Sequence, residues 1–452
     1  MVQRFFETDE PLMRAVLDWA FHRIVSGQDP ITGARPADEL EADLQNSIVA
    51  DGIGGREALR RFTDVIVPAT RAQDHHMNLA YVPAAPTPAS LTFDLAVSAA
   101  EIFAGTWETG AGAIHAENQA LAWLAELAGF GQGAGGTFVQ GGTVGNLSAL
   151  ATARERARAT RGQHRQRWAI ASTSQAHSSV RSAARLLDVE VIGVEADERG
   201  RMTGQALRST LAAAGDLVPF AVVATGGTTN AGIVDDLAGI GDVCEDTGVW
   251  MHVDGAYGLA AMAAPSARHR FDGIERADSF IVDPHKWLFA PYDCCALIYR
   301  DPGWATMAHA QKAEYLDQLD RSEWNPSDYA VQLTRRARGL PFWFSLATHG
   351  TTKYGEAVER GLRTAIDIAN GIHAADHLSL VMEPDLSVVL FRRDGWSAEQ
   401  MLEWSDRNAT EGTVLIIPTS WKGTSVFRIC IVSPDTRADA VLGVLDTMRD
   451  PA

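Results

Sequence analysis

The chain has 452 residues, 46% hydrophobic and 21% charged, which is the composition of an ordinary globular protein with enough apolar material for a large core. Its formal net charge of −18 argues against nucleic acid as a general partner, because binding phosphate requires clustered lysine and arginine. The first residues lack a secretory signal, and no segment carries the ~20 apolar residues of a membrane span, so we expect a cytoplasmic protein without membrane contact. The four cysteines have no ligand spacing, so we expect neither disulfides nor bound metal.

The predicted elements fall into three regions. Helical patterns within residues 1–75 predict an N-terminal helical arm. A helical pattern over residues 91–128 is followed, from about 137 to 300, by short β-branched runs that alternate with helical stretches. This alternation predicts an α/β fold with a largely parallel sheet, in a large domain over residues 76–345. Apolar runs among helical segments predict a small α+β domain over residues 346–452.

A glycine turn follows the strand predicted around Phe138. The segment Gly141-Gly142-Thr143 ends that strand and opens a helix, so its free backbone N–H groups and the Thr143 hydroxyl could bind a phosphate. A plain tight turn is an equally good interpretation, and the spacing matches neither the dinucleotide nor the nucleotide-triphosphate motif. The glycine-rich stretch from Gly129 to Gly136 follows a helix and is interpreted as a flexible loop.

Two further segments end predicted strands with chemically useful side chains. Asp254 ends an apolar run, where a carboxylate could keep a pyridine nitrogen protonated, although a helix-capping or turn aspartate would look the same. Lys286, in Asp283-Pro-His285-Lys286-Trp, is one of four lysines in the sequence. Burial beside aromatic groups would lower its pKa and free its amine for Schiff-base formation, whereas the alternative is a surface lysine.

His177 follows a third predicted strand and opens a helix. It could stack on a planar ring or act on a substrate proton, and the alternative is a solvent-facing histidine. A phosphate turn, a histidine, an aspartate and a lysine therefore occur in this order within one α/β region, which is far less probable by accident than any one of them.

With these motifs in place, the sequence resembles the group II amino acid decarboxylases that depend on pyridoxal 5′-phosphate (PLP). The resemblance extends from about residue 60 to the C-terminus. The matching segments are Asn78-Leu-Ala-Tyr-Val-Pro83, Trp107 through Glu117 to Trp123, Gly141-Gly-Thr-Val-Gly-Asn146, Ala176-His-Ser-Ser179, Gly227-Thr-Thr-Asn-Ala-Gly232, His252-Val-Asp-Gly-Ala-Tyr257, Asp278-Ser-Phe280, Pro284-His-Lys-Trp287, and Arg335 to Leu340 with Trp343.

The resemblance implies a fold-type I architecture, a homodimer with the active site at the interface, and a role for each matching position. Lys286 would carry PLP as a Schiff base, and Asp254 would pair with the ring nitrogen. His177 and Ala256 would pack on opposite faces of the ring, and Thr229 would lie near a cofactor oxygen. The phosphate would be held by Gly142, Thr143, Asp283 and His285. Tyr81 would line the substrate pocket.

Departures from the family pattern leave the substrate open. The family commonly has Ser-Pro-Ala in a pocket-lining segment where this protein has Thr109 to His115, and Asp283 stands where several animal relatives have asparagine. Relatives of the aromatic type protonate the substrate carbon with a tyrosine on a mobile loop, here about residues 308–334. Tyr329 lies about three positions from the aligned place, so it is a candidate for this role by a different loop path.

Three outcomes follow from the sequence. The first is decarboxylation of an L-amino acid to an amine and CO2. The second keeps the cofactor but yields an aldehyde by reaction with oxygen, or cleaves a C–C or C–S bond in the substrate. The third is a non-catalytic PLP-binding protein, against which the intact Lys286, Asp254 and His177 argue.

Overall fold

A computed structural model of the protein describes residues 8–27, 30–162, 166–311 and 322–449. Among the described residues, five α-helices precede the large sheet. These are α1 (Glu10–Ser26), α2 (Ala37–Leu44), α3 (Gly55–Arg61), α4 (Pro88–Ala99) and α5 (Trp107–Leu127). In the described residues, no helix is both long and apolar enough to cross a membrane.

The large domain alternates strands and helices. Its strands are β1 (Gly135–Val139), β2 (Arg167–Ser172), β3 (Glu190–Gly193), β4 (Leu217–Thr225), β5 (Trp250–Asp254), β6 (Ser279–Val282) and β7 (Cys295–Tyr299). Its helices are α6 (Gly142–Arg161), α7 (Ser178–Leu186), α8 (Gly204–Ala212), α9 (Leu237–Thr247), α10 (Pro284–Trp287), α11 (Gly303–His309) and α12 (Leu340–His349).

The strands of the large domain form one sheet in the order β1-β7-β6-β5-β4-β2-β3. The pairs from β3 through β6 are parallel, and β7 runs antiparallel to both β6 and β1. The predicted α/β class with a largely parallel sheet is therefore confirmed. Because parallel strands share their carboxyl edge, the ends of β4, β5 and β6 bring distant parts of the sequence together.

A second, smaller sheet belongs to the C-terminal region. Helix α13 (Thr351–Ala374) leads into it, and the remaining elements are β8 (Leu378–Leu380), β9 (Val388–Arg393), α14 (Ala398–Thr410), β10 (Ile417–Trp421), β11 (Thr424–Cys430) and α15 (Ala438–Asp446). The strand order is β10-β11-β9-β8, and all neighbours are antiparallel.

Two details of the predicted elements were wrong, and close backbone contacts explain both. The helix predicted over residues 91–128 is interrupted between α4 and α5, where a Cβ on Gly105 would approach the Leu333 carbonyl oxygen to 2.3 Å. The glycine-rich stretch is partly strand rather than loop, because Gly136 lies in β1 so close to β7 that a Cβ would come within 1.8 Å of the Leu297 oxygen.

Candidate active site

A cavity of about 280 Å³ opens at the carboxyl edge of β4, β5 and β6. Its lining comes from the glycine turn before α6, from the ends of these strands and from the segment after α10. The lining residues are Gln140, Gly141, Gly142, Thr143, Asn146, His177, Thr225, Gly227, Thr229, Asp254, Ala256, Tyr257, Asp283, His285, Lys286, Tyr292 and Asp293. The cavity thus brings together the glycine turn, the histidine, the aspartate and the lysine that the sequence singled out.

Lys286 lies on the short helix α10, directly after β6. Its Nζ is 2.8 Å from Oδ2 of Asp283, a residue that is 1% exposed. Burial lowers the pKa of Lys286, but the attraction of Asp283 outweighs burial and raises the pKa above the ordinary value. The expectation that burial alone frees the amine was therefore wrong: Lys286 holds its proton in an ion pair.

The same ion pair sets the charge of Asp283, which the family resemblance places near the phosphate. The pKa of Asp283 is lowered because Lys286 and His285 outweigh the effect of burial, so its side chain is an ionised acceptor. A carboxylate has no hydrogen to donate to phosphate. In this geometry Asp283 pairs with Lys286, and its expected place at the phosphate stays a prediction.

The glycine turn forms the anion-binding end of the cavity. Gly142 and Thr143 occupy the first turn of the 20-residue helix α6, whose first N–H groups have no carbonyl partner within the helix. A Cβ on Gly142 would lie 3.3 Å from Ala256 Cβ and 3.5 Å from Asp283 Oδ2, so a side chain there would crowd the cavity. His285 Nδ1 lies 2.8 Å from the Cys294 carbonyl oxygen and 3.1 Å from the Cys294 nitrogen, so the backbone of Cys294 holds the imidazole at the edge of the cavity.

Asp254 ends β5 with both carboxylate oxygens engaged. Oδ1 accepts the Ala256 N–H at 3.2 Å, and Oδ2 accepts an N–H of the Asn146 side chain at 2.8 Å. Both Asp254 and Asn146 are buried. These two hydrogen bonds hold the Asp254 carboxylate at the edge of the cavity, where it can pair with a protonated ring nitrogen.

A buried hydroxyl without a hydrogen-bond partner also suits this cavity to a polar, phosphorylated cofactor. Among the described residues, the buried Thr225 hydroxyl has no hydrogen-bond partner, and it lines this cavity. A buried polar group without a partner is costly unless a ligand satisfies it. Together with the helix terminus of α6 and the Lys286 amine, it matches the needs of PLP.

Tyr81 lies in a neighbouring cavity of about 450 Å³ rather than in the first one. His177 and Thr229 line both cavities, so the two are adjacent. The second cavity also contains Arg428 of β11, which is buried and donates from Nε to the Thr229 carbonyl oxygen at 2.9 Å.

The structure places Tyr329 outside both cavities. Its ring stacks on Trp324 with a centroid distance of 4.2 Å, and burial raises its pKa to about 12. This packing gives no support to the expected proton transfer from Tyr329. Residues 312–321 of the predicted mobile loop, including Lys312, lie outside the described residues.

Sequence reasoning missed four residues. Asn146 lay inside a recognised motif but was given no partner, and Thr225 ends a predicted strand like Asp254. Tyr292 lines the main cavity with its ring centroid 4.8 Å from that of His285. Its place only six residues after Lys286 could have identified it as a site residue. Arg428 reaches the site from the small domain, so no neighbouring motif in the sequence marks it.

This combination of sheet, small domain and lysine-centred cavity defines a PLP-dependent enzyme of fold type I. Residues 56–394 match the family described as "Pyridoxal-dependent decarboxylase conserved domain". The protein belongs to this family, and it is a PLP-dependent amino acid decarboxylase. The aldehyde-forming and other lyase outcomes are not favoured by these comparisons.

Curated relatives cover nearly the whole sequence. The aromatic-L-amino-acid decarboxylase of Bacillus atrophaeus is 29% identical over 431 residues, which span 92% of this chain and 89% of the relative. The L-2,4-diaminobutyrate decarboxylase of Rhizobium meliloti (strain 1021) is 32% identical over 412 residues, or 88% of this chain and 80% of the relative.

Solved structures share this fold. The crystal structure described as Oryza sativa TDC with PLP and tryptamine superposes with a TM-score of 0.91 and covers 99% of this chain and 98% of its own. At 24% identity, this likeness shows the fold alone.

Proposed function

We propose that the 280 Å³ cavity is the site at which this decarboxylase removes CO2 from an L-amino acid, with Lys286 as the anchor for PLP. The observation that carries the proposal is the placement of Lys286 and Asp254 in one cavity, at the ends of the neighbouring parallel strands β6 and β5. An amine and a buried carboxylate that line one cavity suit the two ends of a pyridine aldehyde.

The residues around the cavity would divide the binding of PLP among them. The N-terminus of α6, with Gly142 and Thr143, and His285 would bind the phosphate, and Thr229 would lie near a cofactor oxygen. Asp254 would keep the proton on the ring nitrogen, while His177 and Ala256 would pack on the ring faces. When bound, PLP supplies an aldehyde for the amine and a ring that accepts the electron pair left by the carboxylate.

Asp283 would orient the Lys286 amine. The amine must lose a proton before it can act as a nucleophile, but Asp283, 2.8 Å away, has a lowered pKa, so it is the ion-pair partner of the amine rather than the base that deprotonates it. Lys286 and Tyr292 both line the cavity, and the pKa of each is raised, so both hold protons at neutral pH. Either could return a proton to the substrate carbon.

Reduction of the purified protein with borohydride tests the anchor. We expect a pyridoxyl adduct on Lys286, and we expect Lys286→Ala to abolish both the adduct and turnover. Lys353→Ala, which removes an exposed lysine paired with Glu356, should change neither. An adduct on another lysine, or none, would overturn the assignment.

A panel of L-amino acids tests the reaction, scored at once for CO2, amine, ammonia and oxygen uptake. We expect CO2 and amine in equal amounts without oxygen consumption. The relatives named above act on aromatic amino acids or L-2,4-diaminobutyrate, so both classes belong in the panel. Aldehyde and ammonia formed with oxygen uptake would contradict simple decarboxylation.

We propose that the substrate side chain extends into the second cavity, where Tyr81 stands. Its lining includes the apolar Ile417 and Pro418 as well as the polar Thr229 and Arg428, which supports a ligand that combines apolar and polar groups. Tyr81→Ala should then raise KM more than it lowers kcat. An unchanged KM for every substrate would remove Tyr81 from the pocket.

We also propose a homodimer with the site at the interface. In support, α1 carries an apolar stripe at a spacing of four residues, Met13, Leu17, Phe21 and Val25, and each of these is more than half exposed. Such a stripe on a 17-residue helix is typical of a surface that becomes buried in an assembly. A second copy is the partner that the family resemblance implies.

Sedimentation of the purified protein tests the dimer. We expect a dimer for the native protein, a shift toward monomer for the double variant Leu17→Asp, Phe21→Asp, and no shift for Asp18→Asn in the same helix. A native monomer would contradict the proposal.

We propose a cytoplasmic location, which the four cysteines support, since all of them are buried and free. Recovery of the activity in the soluble cytoplasmic fraction is the expected result.

A further inference from the structure

A continuous series of hydrogen bonds lies behind Asp254, in the interior of the large domain. It begins at the indole of Trp250 and passes through Ser279 and His252. The distances are 2.9 Å from Trp250 Nε1 to Ser279 Oγ and 2.8 Å from Ser279 Oγ to His252 Nδ1. From His252 Nε2 it continues to Asn146 Oδ1 at 2.8 Å, and from Asn146 Nδ2 to Asp254 Oδ2 at 2.8 Å. All of these residues are buried.

With His252 neutral, the ends of this series fix the direction of every bond in it. The Trp250 indole can only donate, and an ionised Asp254 can only accept. Asn146 must therefore turn its NH2 group toward Asp254 and its oxygen toward His252. That oxygen requires a proton on His252 Nε2, so His252 Nδ1 accepts from the Ser279 hydroxyl, which in turn accepts from Trp250.

A second branch leaves the same side chain of Asn146. Its other N–H donates to Ser179 Oγ at 2.9 Å, and Ser179 Oγ lies 2.8 Å from His177 Nδ1. The Ser179 backbone N–H also points to His177 Nδ1, at 3.2 Å. A backbone N–H only donates, so His177 Nδ1 is an acceptor and the neutral ring carries its proton on Nε2.

Asn146 is the point at which both branches meet. Its amide makes three hydrogen bonds, to Asp254, Ser179 and His252. Burial lowers the pKa of His252 to about 4, against the opposing pull of Asp254, which is consistent with a neutral imidazole between Ser279 and Asn146. No other single residue in these two branches contacts both of them.

We propose that Asn146 is a positioning residue that fixes the protons of the site, holding Asp254 as an aimed, ionised acceptor and keeping His252 and His177 as neutral imidazoles protonated at Nε2. The arrangement of protons is a property of the protein itself. Its consequence for turnover rests on the proposed function, because Asp254 and His177 are the groups assigned to the ring nitrogen and the ring face.

Nitrogen-15 NMR of histidine-labelled, full-length protein without added PLP measures this directly. Long-range proton–nitrogen spectra separate the two neutral tautomers and the imidazolium, and the variants His252→Gln and His177→Gln assign the signals. We expect both residues in the neutral Nε2–H form near pH 7. The Nδ1–H form, or an imidazolium, at either residue would overturn the proposal, and this outcome needs no variant of Asn146.

Two variants then separate the branches. In Asn146→Leu, which keeps a similar volume, His252 Nε2 loses its acceptor, so its proton should move to Nδ1, where the Ser279 hydroxyl can accept it. In Ser179→Ala, the signal of His177 should move and that of His252 should stay. Asn408→Leu, which removes a buried amide of the small domain that donates to Trp404, should leave both signals in place. Unchanged histidine signals in Asn146→Leu would refute the role of Asn146.

The PLP-loaded protein supplies the second readout. Loss of orienting partners around functional groups typically lowers activity by about 10–100-fold, so Asn146→Leu should lower kcat by that order while KM changes less. The pH midpoint of the cofactor absorbance should also move, whereas Asn408→Leu should move neither. Full kcat with an unshifted midpoint would overturn the functional part. If borohydride traps nothing on Lys286, the proposed function fails, but the NMR result without PLP still stands or falls by itself.

Discussion

Asp254 is the residue on which the electronic part of the proposed reaction depends. Replacing it with asparagine keeps the shape and removes the charge that would stabilise a protonated ring nitrogen. Loss of one such electrostatic partner lowers kcat by about 10²–10³-fold, so we expect that order for Asp254→Asn with PLP still bound. Steady-state kinetics and cofactor absorbance measure both quantities.

A matched control lies at the opposite end of the same strands. Asp278 precedes β6, accepts the Met251 N–H and pairs with Arg300. Asp278→Asn should therefore affect stability but leave kcat near the native value. Equal losses of kcat in both variants would mean that Asp254 acts through folding rather than chemistry.

The two tyrosines considered for proton transfer differ in their surroundings. Tyr292 lines the main cavity and has a raised pKa, so it holds its proton at neutral pH, whereas Tyr329 packs on Trp324. General acids contribute about 10²–10⁴-fold, so Tyr292→Phe should lower kcat measurably, by at least tenfold if Lys286 shares the role. Tyr329→Phe should leave kcat unchanged, because Tyr329 lines neither cavity and its ring packs on Trp324. A larger loss of kcat in Tyr329→Phe than in Tyr292→Phe would identify Tyr329 as the proton donor instead.

At the scale of elements, a buried ion pair fastens α5 to the segment before α12. The Glu117 carboxylate accepts from Arg335 Nη2 at 2.7 Å and from the Gly339 N–H at 2.7 Å, and both charged side chains are almost fully buried. Glu117→Gln leaves the Arg335 charge without compensation, which we expect to cost about 3–5 kcal/mol of the free energy of unfolding. Denaturant unfolding measures it. Glu57→Gln, at an exposed pair with Arg60, should not change the midpoint.

The sequence predicted the elements that hold the site because each motif there is local. Asp254 and Lys286 end apolar runs, and the turn at Gly142 opens a helix, so strand ends and helix N-termini could be read from neighbouring residues. The long-range contacts could not. Asn146 meets Asp254 across 108 positions, and the Lys286 pKa depends on how Asp283 is turned toward it.

The glycine-rich stretch misled the sequence-based prediction, and the role of Tyr329 stays a prediction that the packing does not support. Gly136 belongs to β1 because the backbone of β7 comes too close for a side chain, and no local pattern records that approach. Tyr329 was considered for its position in a loop, but the structure packs its ring on Trp324. In both residues, a tertiary contact decides the role that composition leaves open.

At the scale of the whole molecule, the site depends on contacts between the large and small domains. Arg428 of β11 donates to the Thr229 carbonyl oxygen, and Thr419 of β10 donates to the Asn230 side chain at 3.0 Å. The second cavity lies at this junction. If the substrate side chain enters this cavity as proposed, its binding depends on the fit between the two domains.

Buried ionisable groups also make the stability of the whole molecule depend on pH. Burial lowers the pKa of His252 to about 4, below its ordinary value of 6.5. Below pH 6.5 the unfolded protein binds a proton there that the folded protein does not bind, so stability is lost as the pH falls from about 6.5 to 4. Asp235 has the opposite sign, since burial raises its pKa to about 7 and its contribution is lost as the pH rises from 3.8 to 7.

Difference measurements separate these two groups. The shift at His252 corresponds to roughly 3 kcal/mol, so the free-energy difference between the native protein and His252→Gln should move against the native protein by about that amount between pH 7 and pH 4. For Asp235→Asn the same comparison should move in favour of the native protein. Denaturant unfolding at fixed pH values from 4 to 7 measures both. A flat difference for His252→Gln would show that the folded protein binds a proton at His252 as readily as the unfolded protein does. Only the bond between His252 Nδ1 and the Ser279 hydroxyl would then reverse its direction at low pH.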